Sequence, residues 1–296
     1  MLSIVIPAYN EEQRLPRTLR AVAAYVARGR RRAEIIVVDD GSTDGTSAVT
    51  LALASTVPAV RLIRLARNGG KGLAVRTGVV NAAGQTILFC DADGATPIEE
   101  LSRLETGLAA GADVAIGSRG LRSVETRVTR RLSRHLAGRT FHQLVKRLAV
   151  PDIVDTQCGF KLFRAAAAHS LFARSRMDGF SFDVEILLLA RRLGYRAVEV
   201  PVNWTHQPGS RINVVLDGLR MARDVFRIRA NAVRGLYDGE MIPAPGVVER
   251  LQTIASAGRW IPGSQQQAER PRSTSMRGFH SVSTPLTPPM LLMIYC

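Results

Sequence analysis

Two aspartates one residue apart, Asp91 and Asp93, follow the apolar run 85–90. Carboxylates at that spacing can approach one divalent ion, with phosphate oxygens completing its shell. Oxygen donors favour Mg2+ or Mn2+ over zinc. A strand-terminating loop that caps the next helix would use the same residues. Other apolar runs, however, end on polar groups of the same kind. Pro7-Ala8-Tyr9-Asn10-Glu11-Glu12 closes run 3–8, and Asp39-Asp40-Gly41-Ser42-Thr43-Asp44-Gly45-Thr46 closes run 34–39. Gly117-Ser118-Arg119 closes run 113–117. This recurrence favours a shared site over isolated caps. Each member keeps a structural alternative: Tyr9 as core, Glu11 as a first-turn acid, Asp40 as a turn residue, Asp44 as a helix cap. No GxGxxG follows the first strand and no GxxxxGK[ST] occurs, so neither a dinucleotide loop nor a P-loop is supported.

The elements that must position these groups alternate. Strand-like runs at 3–8, 34–39, 60–65, 85–90 and 113–117 are rich in Val, Ile and Leu. Helical stretches at 11–28, 44–55, 71–83 and 97–110 separate them. Continuous apolar strands between helices predict a mostly parallel central sheet flanked by helices, an α/β fold. Such sheets bind ligands beyond the carboxyl ends of their strands, where the polar segments lie.

The chain has 296 residues, 46% of them hydrophobic, enough for a packed core. Seven of its 14 prolines fall in 240–296, with Gln265-Gln266-Gln267. This divides it into a domain over 1–239 and a low-complexity, flexible tail over 240–296. Three cysteines and no CxxC argue against a disulfide framework and a cysteine zinc site. No signal peptide and no stretch long enough for a transmembrane helix are read in the sequence, so a cytoplasmic protein peripheral to a membrane face is expected.

The formal charge is +15, and 37 of the 40 basic residues are arginine. Residues 119–147 hold nine basic residues against one acid, Glu125. The stretch is amphipathic, as is 213–229, where Val215, Leu219, Ala222 and Phe226 form a stripe beside Arg220, Arg223 and Arg227. Basic amphipathic helices bind anionic membrane surfaces; a solvated face on an arginine-rich protein is the plainer reading. Only 5% of residues are aromatic and no nucleic-acid motif is present, so nucleic acid is not an expected partner.

The order VIPAYNEE, IIVVDDGSTDGT, NGGKGLAVRTG and CDADGATP resembles the family 2 glycosyltransferases of the GT-A nucleotide-sugar-binding fold, over residues 3–237. The later segments DADGATP (91–97), DTQCGFKLFR (155–164), FSFDVEIL (180–187) and VNWTHQPGSRI (202–212) resemble the dolichyl-phosphate β-glucosyltransferases and their polyprenyl-phosphate relatives. The resemblance implies that Pro7, Tyr9, Glu11 and Val38 line a nucleotide pocket. Asp40 would hold base or ribose, and Asp91, Ala92 and Asp93 would meet the diphosphate and a Mg2+ or Mn2+ ion. Arg119 and Arg211 would contact the diphosphate or the acceptor phosphate, Arg131 the acceptor phosphate, and Lys71 the diphosphate. It further implies an inverting transfer of a hexose, glucose from UDP-glucose, to a polyprenyl or dolichyl phosphate. A phosphate monoester is largely a dianion at neutral pH, with its second pKa near ~6, and needs no strong base. A sugar hydroxyl would need one; Asp183 and Glu185 are the candidates, or else acids satisfied in a buried helix start. A mannosyl or other transferase of the same fold is the nearest alternative, and a non-catalytic basic nucleic-acid-binding protein an alternative of another class.

Overall fold

Leu2–Ala8 forms β1, buried at every position, because its alternating side chains enter two different cores. Ile4 and Ile6 belong to one and Val5 to the other, the period-2 consequence of a strand between two helical layers. The computed structural model describes residues 1–121, 123–129, 145, 149–207, 214–239 and 252–253. The chain divides into two units, Met1–Ala257 and Gly258–Cys296; the second lies outside the described residues.

The first unit winds β1, α1 (Leu15–Arg28), β2 (Ala33–Asp39), α2 (Thr46–Ala54), β3 (Val60–Arg64), α3 (Lys71–Val80), β4 (Thr86–Cys90), α4 (Leu101–Ala109) and β5 (Val114–Ser118). There follow β6 (Val128–Thr129), β7 (Phe160–Arg164), α5 (Ala165–Arg174), α6 (Phe182–Arg192), β8 (Ala197–Pro201), β9 (Trp204–Thr205), α7 (Val214–Val233) and β10 (Gln252–Thr253). The large sheet runs β10-β3-β2-β1-β4-β7-β5-β8; β6 and β9 pair separately. Strands β3, β2, β1 and β4 are parallel neighbours, as the apolar runs predict. β10, beyond residue 239, pairs antiparallel with β3.

One face of the sheet is covered by the apolar sides of α1 (Leu15, Leu19, Val22) and α4 (Leu101, Leu104, Leu108). The other carries α3, α5, α6 and part of α7. Gly78 lets α3 lie close on this face; a Cβ there would collide with the side chain of Val5 and crowd that of Val38. Val38 is therefore core beneath α3, fully buried.

The sequence pattern did not predict β7, inserted antiparallel between β4 and β5. Its run Phe160-Lys161-Leu162-Phe163 is broken by a lysine, which ordinarily argues against a central strand. Lys161 is nonetheless 1% exposed. Its ammonium donates to the Asp183 carboxylate at 2.5 Å and to the Cys158 carbonyl at 2.6 Å. The antiparallel direction sets residues 155–159 beside the carboxyl ends of β4 and β5.

Leaving one member of a buried ion pair alone costs about 3–5 kcal/mol, whereas replacing both by apolar groups costs far less. Lys161→Met should lower unfolding free energy by about that amount in urea titrations, and Lys161→Met with Asp183→Leu by less than Lys161→Met alone.

Candidate active site

β2 and β3 extend from one side of β1, while β7, β5 and β8 extend beyond β4 on the other. Strand order, not strand direction, reverses between the parallel neighbours β1 and β4, and the crevice beyond their carboxyl ends is where this architecture binds ligands. A cavity of about 410 Å³ opens there, within the range of small-ligand sites. Pro7, Ala8, Tyr9 and Glu11 line it from the end of β1, and Asp91, Ala92 and Asp93 from the end of β4. Asp40 and Lys71 complete the residues that the sequence placed there.

The loops after β1 and β2 are stitched into one rim. Asn10 takes a left-handed conformation (φ 54°), which asparagine tolerates. Its Oδ1 accepts the Thr43 N–H at 2.8 Å, and its own N–H donates to the Ser42 hydroxyl at 2.8 Å. The Glu11 N–H donates to Thr46 Oγ1 at 2.7 Å. Asp44, expected as a cap, accepts the Thr46 N–H at the start of α2 at 3.0 Å. Asp40 accepts the N–H groups of Gly69 and Gly70 at 2.7 and 2.8 Å. Burial pushes its pKa up, and the two N–H bonds oppose that rise. Gly70 sits at φ +101°, where a Cβ would meet the Asp178 carbonyl oxygen at 2.5 Å. Glycine here lets α3 begin under the 175–181 loop, whose Asp178 carbonyl accepts the Gly72 N–H at 2.6 Å.

Lys71, the first residue of α3, thereby reaches Asp91 at 2.8 Å and lies 5.2 Å from the centre of the Phe89 ring. Burial lowers its pKa, but Asp91, Asp183 and Asp93 outweigh that and raise it. Asp93 is raised, first by burial and then by Asp91; the Ala95 N–H, at 3.0 Å, Arg14 and Lys71 hold the rise back. Asp91 donates its own N–H to the Gly159 carbonyl at 3.0 Å. Gly159 must lack a side chain, because an added Cβ would fall onto the Asp91 carboxylate.

Four carboxylates and two cations, Lys71 and Arg14, thus face one cavity. The donor set suits a hard divalent cation: two oxygen-bearing side chains, one residue apart, at the cavity wall. Among the described residues no cluster of three or more His, Cys, Asp or Glu forms a complete metal site, so ligand oxygens would supply the remaining coordination.

The other expected residues fall elsewhere. Arg119 is gripped by Asp155, Nε to Oδ2 and Nη2 to Oδ1 both at 2.7 Å, and its guanidinium lies 5.5 Å from the Trp204 ring centre. Asp155 in turn is positioned by Glu199, which accepts its N–H at 2.8 Å. Asp183 is buried on Lys161. Glu185 accepts the Arg176 and Met177 N–H groups at 2.9 Å and the Tyr237 hydroxyl at 2.7 Å. Neither acid lines the cavity. Arg131 and Arg211 lie outside the described residues. The sequence reading missed Arg14, Asn68, Gly179 and Phe180, which also line the cavity. Arg14 pairs with Glu11 across one helical turn, a spacing visible in Glu11-x-x-Arg14 but unremarkable in a chain so rich in arginine.

An acidic pair and a lysine at the switch point of such a sheet suit an anionic ligand that carries a cation. The chain belongs to glycosyl transferase family 2, whose model it matches over residues 3–172. It is 41% identical to the dolichyl-phosphate β-glucosyltransferase of Drosophila melanogaster, over 80% of this chain and 76% of that one. The human and Saccharomyces cerevisiae enzymes of the same name are 38% and 37% identical, covering 77% and 76% of their lengths and 80% of this chain. Among solved structures, glucosyl-3-phosphoglycerate synthase from Mycobacterium tuberculosis, in complex with Mn2+, UDP-glucose and phosphoglyceric acid, superimposes with a TM-score of 0.58 at 19% identity, covering 78% of this chain and 79% of that one. Mannosyl-3-phosphoglycerate synthase from Rubrobacter xylanophilus gives 0.59 at 19%, covering 83% and 78%. These two bear on fold alone. Membership in an enzyme family sets aside the nucleic-acid-binding alternative.

Residues that support metal ligands from behind change metal affinity about 10–100-fold when altered. Gly159→Ala should therefore weaken joint binding of Mn2+ and UDP at least about tenfold in calorimetry, with native circular dichroism. Unchanged binding would remove Gly159 from the site.

Proposed function

We propose that the chain transfers glucose from UDP-glucose to the phosphate of a polyprenyl lipid such as dolichyl phosphate, inverting the anomeric carbon. The carrying observation is the convergence of Asp91, Asp93 and Lys71 on the switch-point cavity, in a chain 41% identical to a dolichyl-phosphate β-glucosyltransferase. Asp91 and Asp93 would hold a divalent cation, which when bound supplies charge neutralisation for a leaving nucleoside diphosphate. Tyr9, Pro7 and Asp40 line the cavity from the ends of β1 and β2, and are assigned the nucleoside. Lys71 and Arg14 are assigned the diphosphate.

The acceptor phosphate attacks the anomeric carbon as a dianion, the glycosidic bond to the diphosphate breaks, and the electron pair leaves with the nucleoside diphosphate. No proton has to be removed. That fits the placement of Asp183 and Glu185, the two candidate bases, in structural pairs away from the cavity lining. Arg119, its plane set by Asp155 and Trp204, is assigned the acceptor phosphate together with Arg131; Arg211 is assigned either phosphate group. Planar guanidinium groups suit that task.

A lipid acceptor requires access to a bilayer. No helix among the described residues is long and apolar enough to cross one. α7 offers a peripheral contact instead. Val225, Ile228 and Ala232 face inward, buried. Leu219, Phe226 and Val233, seven residues apart on the outer side, are 66%, 57% and 77% exposed. Arg220, Arg223 and Arg227 are exposed along that stripe. Apolar residues flanked by arginines suit an anionic lipid surface, at about 1 kcal/mol per basic residue.

The test is radiolabel transfer from UDP-glucose, with GDP-mannose in parallel, into dolichyl phosphate in anionic vesicles. UDP-glucose should be the better donor. Asp93→Ala should lose at least about 100-fold in rate while remaining folded. A preference for GDP-mannose would refute the sugar assignment, and an unchanged Asp93→Ala rate the metal assignment. Leu219→Ser with Phe226→Ser should reduce co-sedimentation with the vesicles; undiminished sedimentation would clear α7 of that contact.

A further inference from the structure

Asp91 has two claimants. It is the first of the proposed metal ligands, yet in this structure its carboxylate is paired with the Lys71 ammonium at 2.8 Å. The pair is not a loose surface bridge. The Lys71 side chain is 23% exposed and that of Asp91 34%. The Phe89 ring lies beneath the ammonium, and the backbone of Lys71 is fixed by Gly70 at φ +101° against the 175–181 loop. A divalent ion on Asp91 would stand within a few ångströms of this ammonium. Like charges that close repel strongly in a partly desolvated site, so the lysine on Asp91 Oδ1 and an ion on the same carboxylate oppose each other.

The balance changes when a diphosphate enters. Its oxygens give the ammonium a second set of acceptors next to the first, and give the ion ligands beyond those the described residues group together. We infer that Lys71 is a resident counter-ion that pairs with Asp91 when no ligand is bound, opposes binding of a bare divalent cation, and is drawn onto the diphosphate when nucleotide and metal bind together. Lys71 then has opposite effects on the two ligands: it weakens metal alone and strengthens nucleotide. By linkage, part of the affinity that nucleotide adds to metal comes from removing the lysine from Asp91. The site consequently loads its metal with the nucleotide rather than before it. This rests on the assignment of Asp91 and Asp93 to a metal and goes beyond it, because it assigns an order and a residue that enforces it.

The experiment measures binding, not turnover. Free Mn2+ is read by electron paramagnetic resonance with and without UDP, and UDP by calorimetry with and without Mn2+. In Lys71→Gln, Mn2+ alone should bind at least about tenfold tighter than in the wild type. UDP without metal should bind about tenfold weaker, and the factor by which UDP tightens Mn2+ should shrink. Lys71→Arg, which keeps the charge, should leave Mn2+ alone as weak as in the wild type. Lys71→Ala provides a second neutral variant with the same expected outcome, and thermal unfolding checks that each is folded. Mn2+ binding unchanged or weaker in the folded neutral variants would overturn the counter-ion role while leaving the metal assignment intact. Failure of the wild type to bind Mn2+ even with UDP would overturn both.

Discussion

Carboxylates gathered in one crevice repel one another, and much of this fold exists to hold them there. Asp40 is satisfied by two backbone N–H groups, Asp93 by the Ala95 N–H, Glu11 by Arg14, and Asp91 by Lys71. Each compensation reaches in from a different element, so the crevice is rigid only if β1, β2, α3 and β4 keep their register. Among the described residues the cavity lining holds two more carboxylates than cations. An anionic ligand would be repelled from such a wall unless it arrived with positive charge. The acidic pair therefore argues for a cation-dependent ligand through charge balance as much as through ligand geometry.

Behind that wall lies a second polar layer. Lys161 pairs with Asp183 beside Phe89, whose ring centre lies 5.2 and 5.8 Å from the ammonium groups of Lys71 and Lys161. Glu185 ties residues 176–177 and Tyr237 together. The loop so fixed delivers the Asp178 carbonyl to the first turn of α3 and presents Gly179 and Phe180 to the cavity. On its far side, Ser181 donates to Asp224 of α7 at 3.1 Å. A single loop thus touches the residue that holds Asp91, the cavity rim and the helix with the exposed apolar stripe. Buried polar groups of this kind cost stability unless every partner is present, and their completeness here is a positional constraint rather than a source of net stability.

The strands that carry the site were legible because they are buried on both faces and read as unbroken apolar runs. Their ends were legible because polar residues there stand out against the core. β7 was hidden by Lys161, since nothing in a local window tells that the lysine meets Asp183 more than twenty positions away. Gly159 was hidden for the same reason: its need for no side chain comes from Asp91, a neighbour across β4 and β7. Arg14 was one arginine among 37. Val38 followed family position, yet strand alternation alone turns it under α3 with Val5 and Ile36. What a sequence conveys poorly here is partnership between distant charges, which is where the specificity of this site resides.

The same partnership gives the net charge of +15 a narrower meaning. Many arginines are spent locally: Arg61 on Glu34, Arg76 on Asp178, Arg119 on Asp155. Those exposed on α7 flank an apolar stripe, and Arg223 also approaches Asp224 at 3.8 Å; apolar residues among arginines suit a lipid headgroup layer more than a nucleic acid, which would want aromatic faces between the charges. The cavity, by contrast, is acidic. A lipid phosphate drawn to the basic exterior would enter the cavity only against its negative wall, unless the cation and diphosphate had first changed that wall's charge. On the proposed reaction, this order of charges, basic outside and acidic within the described lining, favours donor and metal in place before the acceptor arrives.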